Sequence, residues 1–151
     1  MNQFSNTIQL PETKFSMRAN LSQNEPKWIK FWEEINVQNN IKNINKNKKR
    51  FILHDGPPYA NGNLHLGHAL NKILKDIICR AYSKMGFDVD YIPGWDCHGL
   101  PIEWKVEEKY RKSGKNKDEV DQLKFRDECR KFAEKWIEIQ TDEFKRLGIN
   151  C

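Results

Sequence analysis

Residues 51–94 read FILHDGPPYANGNLHLGHALNKILKDIICRAYSKMGFDVDYIPG, and the punctuation of this stretch decides the fold class. Phe51–His54 is a short apolar run closed by Asp55-Gly56, the pattern of a buried strand. A loop rich in Gly and Pro follows. Leu70, Ile73, Leu74, Ile77, Ile78, Ala81 and Met85 then recur at three- and four-residue steps, which predicts an amphipathic helix that starts near Leu66 and stops before Gly86. Phe87–Gly94 alternates and breaks at Pro93-Gly94, giving a second strand. Strand, helix, strand is the unit of a parallel sheet, so the expected class is α/β.

In such sheets ligands bind beyond the carboxyl ends of the strands. The two strand-exit loops here, DGPPYANGNLHLGH (residues 55–68) and GWDCHGLPIE (94–103), are the two most unusual pieces of the chain. One site formed by both is the economical expectation. The first loop lacks the Lys of a Walker loop, and Gly56, Gly62 and Gly67 do not have the spacing of a dinucleotide fingerprint. The ingredients of a phosphate site are nevertheless present. Gly62 and Gly67 can let a ligand approach the backbone, and a helix beginning near Leu66 would aim unpaired N–H groups at the loop. His65 and His68, three apart on that turn, can add donors toward phosphate oxygens. Two other readings stay open at this point: His65 and His68 sharing a metal whose four-ligand set Cys97 and His98 complete, and His residues that only cap and pack. In the second loop, Asp96 lies just past a Pro-Gly break, where a carboxylate can pair with a substrate ammonium.

Outward from this region the chain is less specific. Its length of 151 residues suits one domain, and 38% apolar residues with five Trp and eight Phe give material for a core despite a mean hydropathy of −0.85. No run approaches the ~18 apolar residues of a membrane span, and the polar start MNQFSNTIQLPE has no signal-peptide core, so the expected location is cytoplasmic. Cys79, Cys97, Cys129 and Cys151 are widely spaced and read as reduced thiols. The net charge of +5 resides in the first third, centred on Asn39–Arg50, a Lys/Asn tract that reads as a solvated linker. Before it, residues 7–20 read as an extended arm. Glu25 to about Val37 reads as a helix with Pro26 in its first turn, packing by Trp28, Ile29, Trp32 and Ile35. Pro101–Lys112 and Asp118–Leu147 read as supporting helices with apolar stripes and solvated charged faces.

The residues of both loops also carry a family resemblance. PPYANGNLHLGH (57–68) resembles the HIGH signature of class I aminoacyl-tRNA synthetases, with Leu66 where Ile is usual, and DGPPYANG with GWDCHGLPIE resembles the isoleucyl members. The likeness continues through LPETKFSMR (10–18), NEP (24–26) and CRKFAEKWIEIQTDEFKRLG (129–148). The leucyl and valyl families share the signature but favour other residues where this chain has Tyr59-Ala60-Asn61-Gly62.

The resemblance implies the first half of a Rossmann-like catalytic domain over residues 51–151, with the HIGH-type motif at 58–68, preceded by an arm, helix and basic linker over 1–50. It implies ATP-dependent activation of isoleucine to the adenylate and transfer to tRNA(Ile), with Mg accompanying ATP, no metal bound by this segment itself, no membrane, and a monomeric full-length enzyme. On the same grounds His65 and His68 would be catalytic. Asn61, Gly62 and Gly67 would bind ATP, and Gly56, Pro57 and Asp96 would bind the amino acid. Trp95, His98 and Glu103 are second choices. The family's editing, KMSKS and anticodon-binding regions have no counterpart in these 151 residues, which leads to the expectation of an N-terminal fragment that is inactive by itself. The alternatives are a truncated non-catalytic remnant and a leucyl- or valyl-type enzyme.

Overall fold

The strand, helix and strand expected within residues 51–94 form, and they form one parallel unit. In the computed structural model, which describes residues 4, 7–9 and 13–149, β1 (Arg50–His54) pairs in parallel with β2 (Asp88–Ile92), in register from Arg50↔Asp88 to His54↔Ile92. α3 (Leu66–Lys84) makes the crossover. Before the sheet come α1 (Leu21–Glu34) and α2 (Val37–Asn45); after it come α4 (Leu100–Lys112), a 3₁₀ turn (Lys117–Glu119) and α5 (Gln122–Arg146). Of the expected arm, Leu10, Pro11 and Glu12 lie outside the described residues, as does Cys151. Phe15 and Met17 of the same arm stand in solvent.

The alternation of β1 turns Phe51 and Leu53 inward and leaves Ile52 and His54 exposed. Phe51 and Leu53 pack on a cluster of Cys79, Tyr91, Phe144 and Ile149. A second cluster joins Ala60, Ile102 and Ala133 to Phe132, Trp136 and Ile137. Trp95, in the second strand-exit loop, packs against both clusters. The loop is therefore anchored in the core rather than hung from it. No described helix is long and apolar enough to cross a membrane.

Three expectations need correction. The Lys/Asn tract is solvated, as expected, but it is not an unstructured linker: Asn39–Asn45 belongs to α2, and Asn45 is its one buried residue, its amide donating to the Ser83 carbonyl at 3.0 Å and the Ser83 hydroxyl at 3.2 Å. Lys42 and Arg50 converge on Asp90 of β2, so two of its charges are pairing partners for the sheet. α1 begins at Leu21, four residues earlier than expected, so Pro26 sits in its sixth position rather than its first turn. That is tolerated because Ser22, whose carbonyl would have received the missing N–H, is exposed to water. Only part of the aromatic face of α1 is covered: Trp32 lies under the Arg80 guanidinium at 5.6 Å, while Trp28 is 57% exposed.

The third correction concerns α3. Its periodicity is as expected, but the residues it buries are Lys72, Asp76 and Cys79, and the apolar stripe Leu66, Leu70, Leu74, Ile77 and Ile78 is exposed. A repeat at helical spacing defines two faces and does not say which one meets the sheet. Here ion pairs decide: Asp55, at the end of β1, takes both Lys72 and Lys75, and Asp76 takes Arg80.

Candidate active site

The two strand-exit loops meet through backbone hydrogen bonds. Ala60 N–H donates to the Asp96 carbonyl at 3.0 Å and Asp96 N–H to the Pro58 carbonyl at 2.8 Å, an isolated parallel bridge between Tyr59 and Asp96. The bridge extends the β1–β2 pairing past the strand ends and sets Asp96 beside the Tyr59–Gly62 turn. Asn61 and Gly62 are half-buried on that turn, and nothing lies within 4 Å of where a Gly62 side chain would begin. Pro57 is exposed and close to Gly94, 3.9 Å from where a Gly94 Cβ would stand. Gly56 presents its carbonyl to the Lys72 ammonium at 3.1 Å.

The His turn is built by a reciprocal cap. His65 precedes α3 in an extended conformation, and its Nδ1 accepts from Gly67 N–H at 3.1 Å and His68 N–H at 3.3 Å; His68 Nδ1 in return accepts from His65 N–H at 3.2 Å. The rings stack with centroids 3.8 Å apart. An imidazole that accepts at Nδ1 carries its proton on Nε2. The backbone donors expected at the helix start are thus partly consumed by the cap, and each ring offers an Nε2–H in their place. Burial and the neighbouring His65 hold His68 below the usual histidine range, against the Glu143 carboxylate, which raises it. Gly67 has a reason internal to the protein: a Cβ there would lie 2.9 Å from His65 Cε1 and 3.0 Å from Nδ1, so only glycine lets the ring fold back over the turn.

The Asp96 carboxylate is about one-quarter exposed; one of its oxygens accepts from His98 N–H at 3.3 Å and lies 3.7 Å from His98 Nε2. His98 itself is 91% exposed at its side chain, and Glu103 is exposed on the first turn of α4. Cys97 points back at the Trp95 carbonyl, 3.6 Å away, and burial together with Asp96 pushes its thiol pKa up. Among the described residues no three His, Cys, Asp or Glu side chains converge.

Sequence reasoning gave no role to the residues that hold this arrangement, although the periodicity of the last helix places Gln140 on its core stripe with Trp136, Ile137 and Phe144. Gln140 of α5 is 1% exposed; its amide oxygen accepts from Trp95 Nε1 at 2.9 Å, and its amide nitrogen donates to the carbonyls of Tyr59 at 3.0 Å and Gly62 at 2.7 Å. One turn on, Glu143 accepts from Asn63 at 2.7 Å and from Leu64 N–H at 2.8 Å, fixing the chain just ahead of His65. Asp55 and Lys72, with side chains 3% and 5% exposed, clamp β1 to α3. Polar residues spaced along an apolar stripe were the available signal. A cleft of about 450 Å³ opens behind the loops, lined by Trp32, Asp55, Lys72, Gly94, Trp95 and Phe144, but the His turn lies outside its walls.

A parallel βαβ unit with both exit loops joined into one site beside a capped helix start is the design of a Rossmann-like nucleotide-binding protein. Residues 27–151 match the family model of tRNA synthetases class I (I, L, M and V), and the chain belongs to that family. It is 59% identical over 146 residues to isoleucine–tRNA ligase of Brucella abortus biovar 1 (strain 9-941), an overlap covering 97% of this chain and 15% of that protein. It is 58% identical over 147 residues to the enzyme of that name from Ruegeria pomeroyi, and 59% identical over 142 residues to that of Pelagibacter ubique (strain HTCC1062). The chain therefore spans about 15% of the length of the curated relatives it matches. In fold it is similar to Agrobacterium radiobacter K84 agnB2 LeuRS, solved as a ternary complex with tRNA and LeuAMS, with a TM-score of 0.62 and 25% identity over 87% of this chain and 14% of that one.

Proposed function

We propose that this chain forms the part of an isoleucine–tRNA ligase that holds isoleucine and the ATP phosphates for amino-acid activation. The observation that carries the reading is the Tyr59–Asp96 bridge, which joins the loop bearing an ammonium-binding carboxylate to the loop leading into two histidine donors. The 59% identity to isoleucine–tRNA ligases supports isoleucine as the amino acid. In the reaction the isoleucine carboxylate attacks the α-phosphorus of ATP and pyrophosphate leaves, giving isoleucyl adenylate; a hydroxyl of the terminal ribose of tRNA(Ile) then takes the isoleucyl group and AMP leaves.

Such a transfer needs positioning and charge stabilisation more than covalent help. Asp96 pairs with the α-ammonium and Gly56 and Pro57 border the side chain, so the substrate carboxylate is aimed at the nucleotide. The Nε2–H donors of His65 and His68 meet charge developing on the phosphates. Asn61, Gly62 and Gly67 line the ATP side, where no side chain blocks the approach to Gly62. Mg²⁺ would enter with ATP and would add positive charge at its phosphates. The reading carries with it a cytoplasmic, monomeric full-length enzyme.

The test is amino-acid-dependent pyrophosphate exchange by the full-length enzyme carrying these residues. Isoleucine should be the preferred substrate, and Asp96→Asn should weaken isoleucine at least ~10-fold, the loss of a charge-assisted contact, while ATP affinity stays close to normal. Preference for leucine or valine, or equal losses for both ligands, would sink the assignment.

A further inference from the structure

Gln140 touches both substrate loops at once, and nothing in the activation chemistry asks for it. We infer that Gln140 is a positioning residue that couples isoleucine binding to ATP binding; the inference rests on the function proposed above. Its side chain is fully buried, so each of its polar atoms needs a partner, and each has one. The indole N–H of Trp95 fixes the amide oxygen, and two carbonyls, of Tyr59 and Gly62, fix the amide nitrogen. With a donor on one side and two acceptors on the other, the amide has a single orientation.

The three contacts fall at telling places. Trp95 is the residue before Asp96, and Tyr59 is the residue bridged to Asp96. Gly62 closes the turn that leads, through Asn63 and Leu64, into the His65 cap. The amide belongs to α5, a 25-residue helix whose Phe144 and Ala133 lie in the two core clusters, so both loops are tied to each other through one core element. A ligand that settles the Asp96 loop settles Trp95, and through the amide it settles the carbonyls of Tyr59 and Gly62. The second ligand then meets a loop already ordered and loses less freedom on binding. Coupling of this kind is reciprocal: each ligand tightens the other by the same factor.

The experiment measures the isoleucine dissociation constant of the full-length enzyme with and without a non-hydrolysable ATP analogue. In the unaltered enzyme the analogue should tighten isoleucine about 10-fold, within the usual range of coupling between sites. Gln140→Leu removes all three bonds, and Gln140→Glu sets an oxygen against two carbonyls; both should bring the factor close to 1. Trp95→Phe removes one bond only, should give an intermediate factor, and decides the matter if the Gln140 variants do not fold. Val106→Ala, a buried position in α4, should lower the melting temperature and leave the factor unchanged, separating coupling from general loss of stability. Folded Gln140 or Trp95 variants that keep the full factor overturn the inference, as does an unaltered enzyme that binds both ligands with a factor of 1. An enzyme that binds no isoleucine in either state fails the proposed function first, and this inference with it.

Discussion

At His65 one ring has two duties, and they can be separated. Its Nδ1 holds the start of α3, and its Nε2 carries the proton on an exposed ring. His65→Ala removes both and should lower isoleucine-dependent pyrophosphate exchange by on the order of 10²-fold or more, by analogy with deleting an oxyanion donor, while costing about 1 kcal/mol of helix capping. His65→Asn keeps a good capping side chain without the Nε2–H, so it should restore the melting temperature and not the exchange rate. Full activity in the Asn variant would reduce His65 to a cap. His68 adds a pH signature. Its Nδ1 must be unprotonated to accept His65 N–H, and burial with the neighbouring His65 already depresses its pKa. The sign follows: a depressed folded value means the cap is whole above the ordinary histidine value of ~6.5 and is lost as pH falls through the lowered value. NMR titration of His68 should place its midpoint below ~6.5, and the acid limb of the exchange rate should fall with it.

Between elements, the joint of β1 and α3 is ionic. Asp55 and Lys72 are both nearly out of water, with Lys75 as a second, less buried partner. Asp55→Asn leaves the Lys72 charge buried without its counter-ion and should cost ~3–5 kcal/mol in denaturant unfolding. Replacing Asp55 and Lys72 together by apolar residues of similar size should recover most of that loss, since the desolvation of both charges disappears with them. Because Lys72 also binds the Gly56 carbonyl, the same change should loosen the edge of the isoleucine pocket. Recovery of stability without recovery of isoleucine affinity would separate the two roles. α2 is tied down in a smaller way, through Asn45 on Ser83 and Lys42 on Asp90. These contacts hold the helical part of the Lys/Asn tract against the sheet while its other side chains stay in water.

Over the whole molecule, the exposed stripe of α3 is the feature that most departs from a self-contained domain. Leu66 is 85% exposed, Leu70 62% and Ile77 55%, on the helix that carries the His turn. A row of this kind marks a surface that is covered in the working protein or associates when it is not. Made by itself, the 151-residue chain should self-associate in sedimentation experiments, and Leu70→Gln with Ile77→Gln should reduce that association. It should also fail to aminoacylate tRNA and make little or no isoleucyl adenylate, because catalysis by positioning loses most of its advantage when only one wall of the site is held. Pyrophosphate exchange above a His65→Ala, His68→Ala control would show instead that these residues suffice.

The chain order carries the local part of this account. Strand, loop, helix and strand between residues 51 and 94 follow from apolar spacing and Gly/Pro punctuation, because those are short-range preferences of the backbone and of half-buried surfaces. The two unusual loops could be named for the same reason, since Gly, Pro, His and Asp cluster where regular structure stops. Tertiary structure alone decided how the pieces meet. Which face of α3 turns inward depends on Asp55 finding Lys72 across 17 residues, and the union of the loops depends on Gln140 and Glu143, which follow Gly62 and Leu64 by 78 and 79 residues. Periodicity can set Gln140 on a core stripe and leave Lys72 off one, but it assigns neither a partner. Only the folded chain reveals that a buried carboxylate or carbonyl is waiting for each, because the free energy of pairing those groups exists only once both have left water.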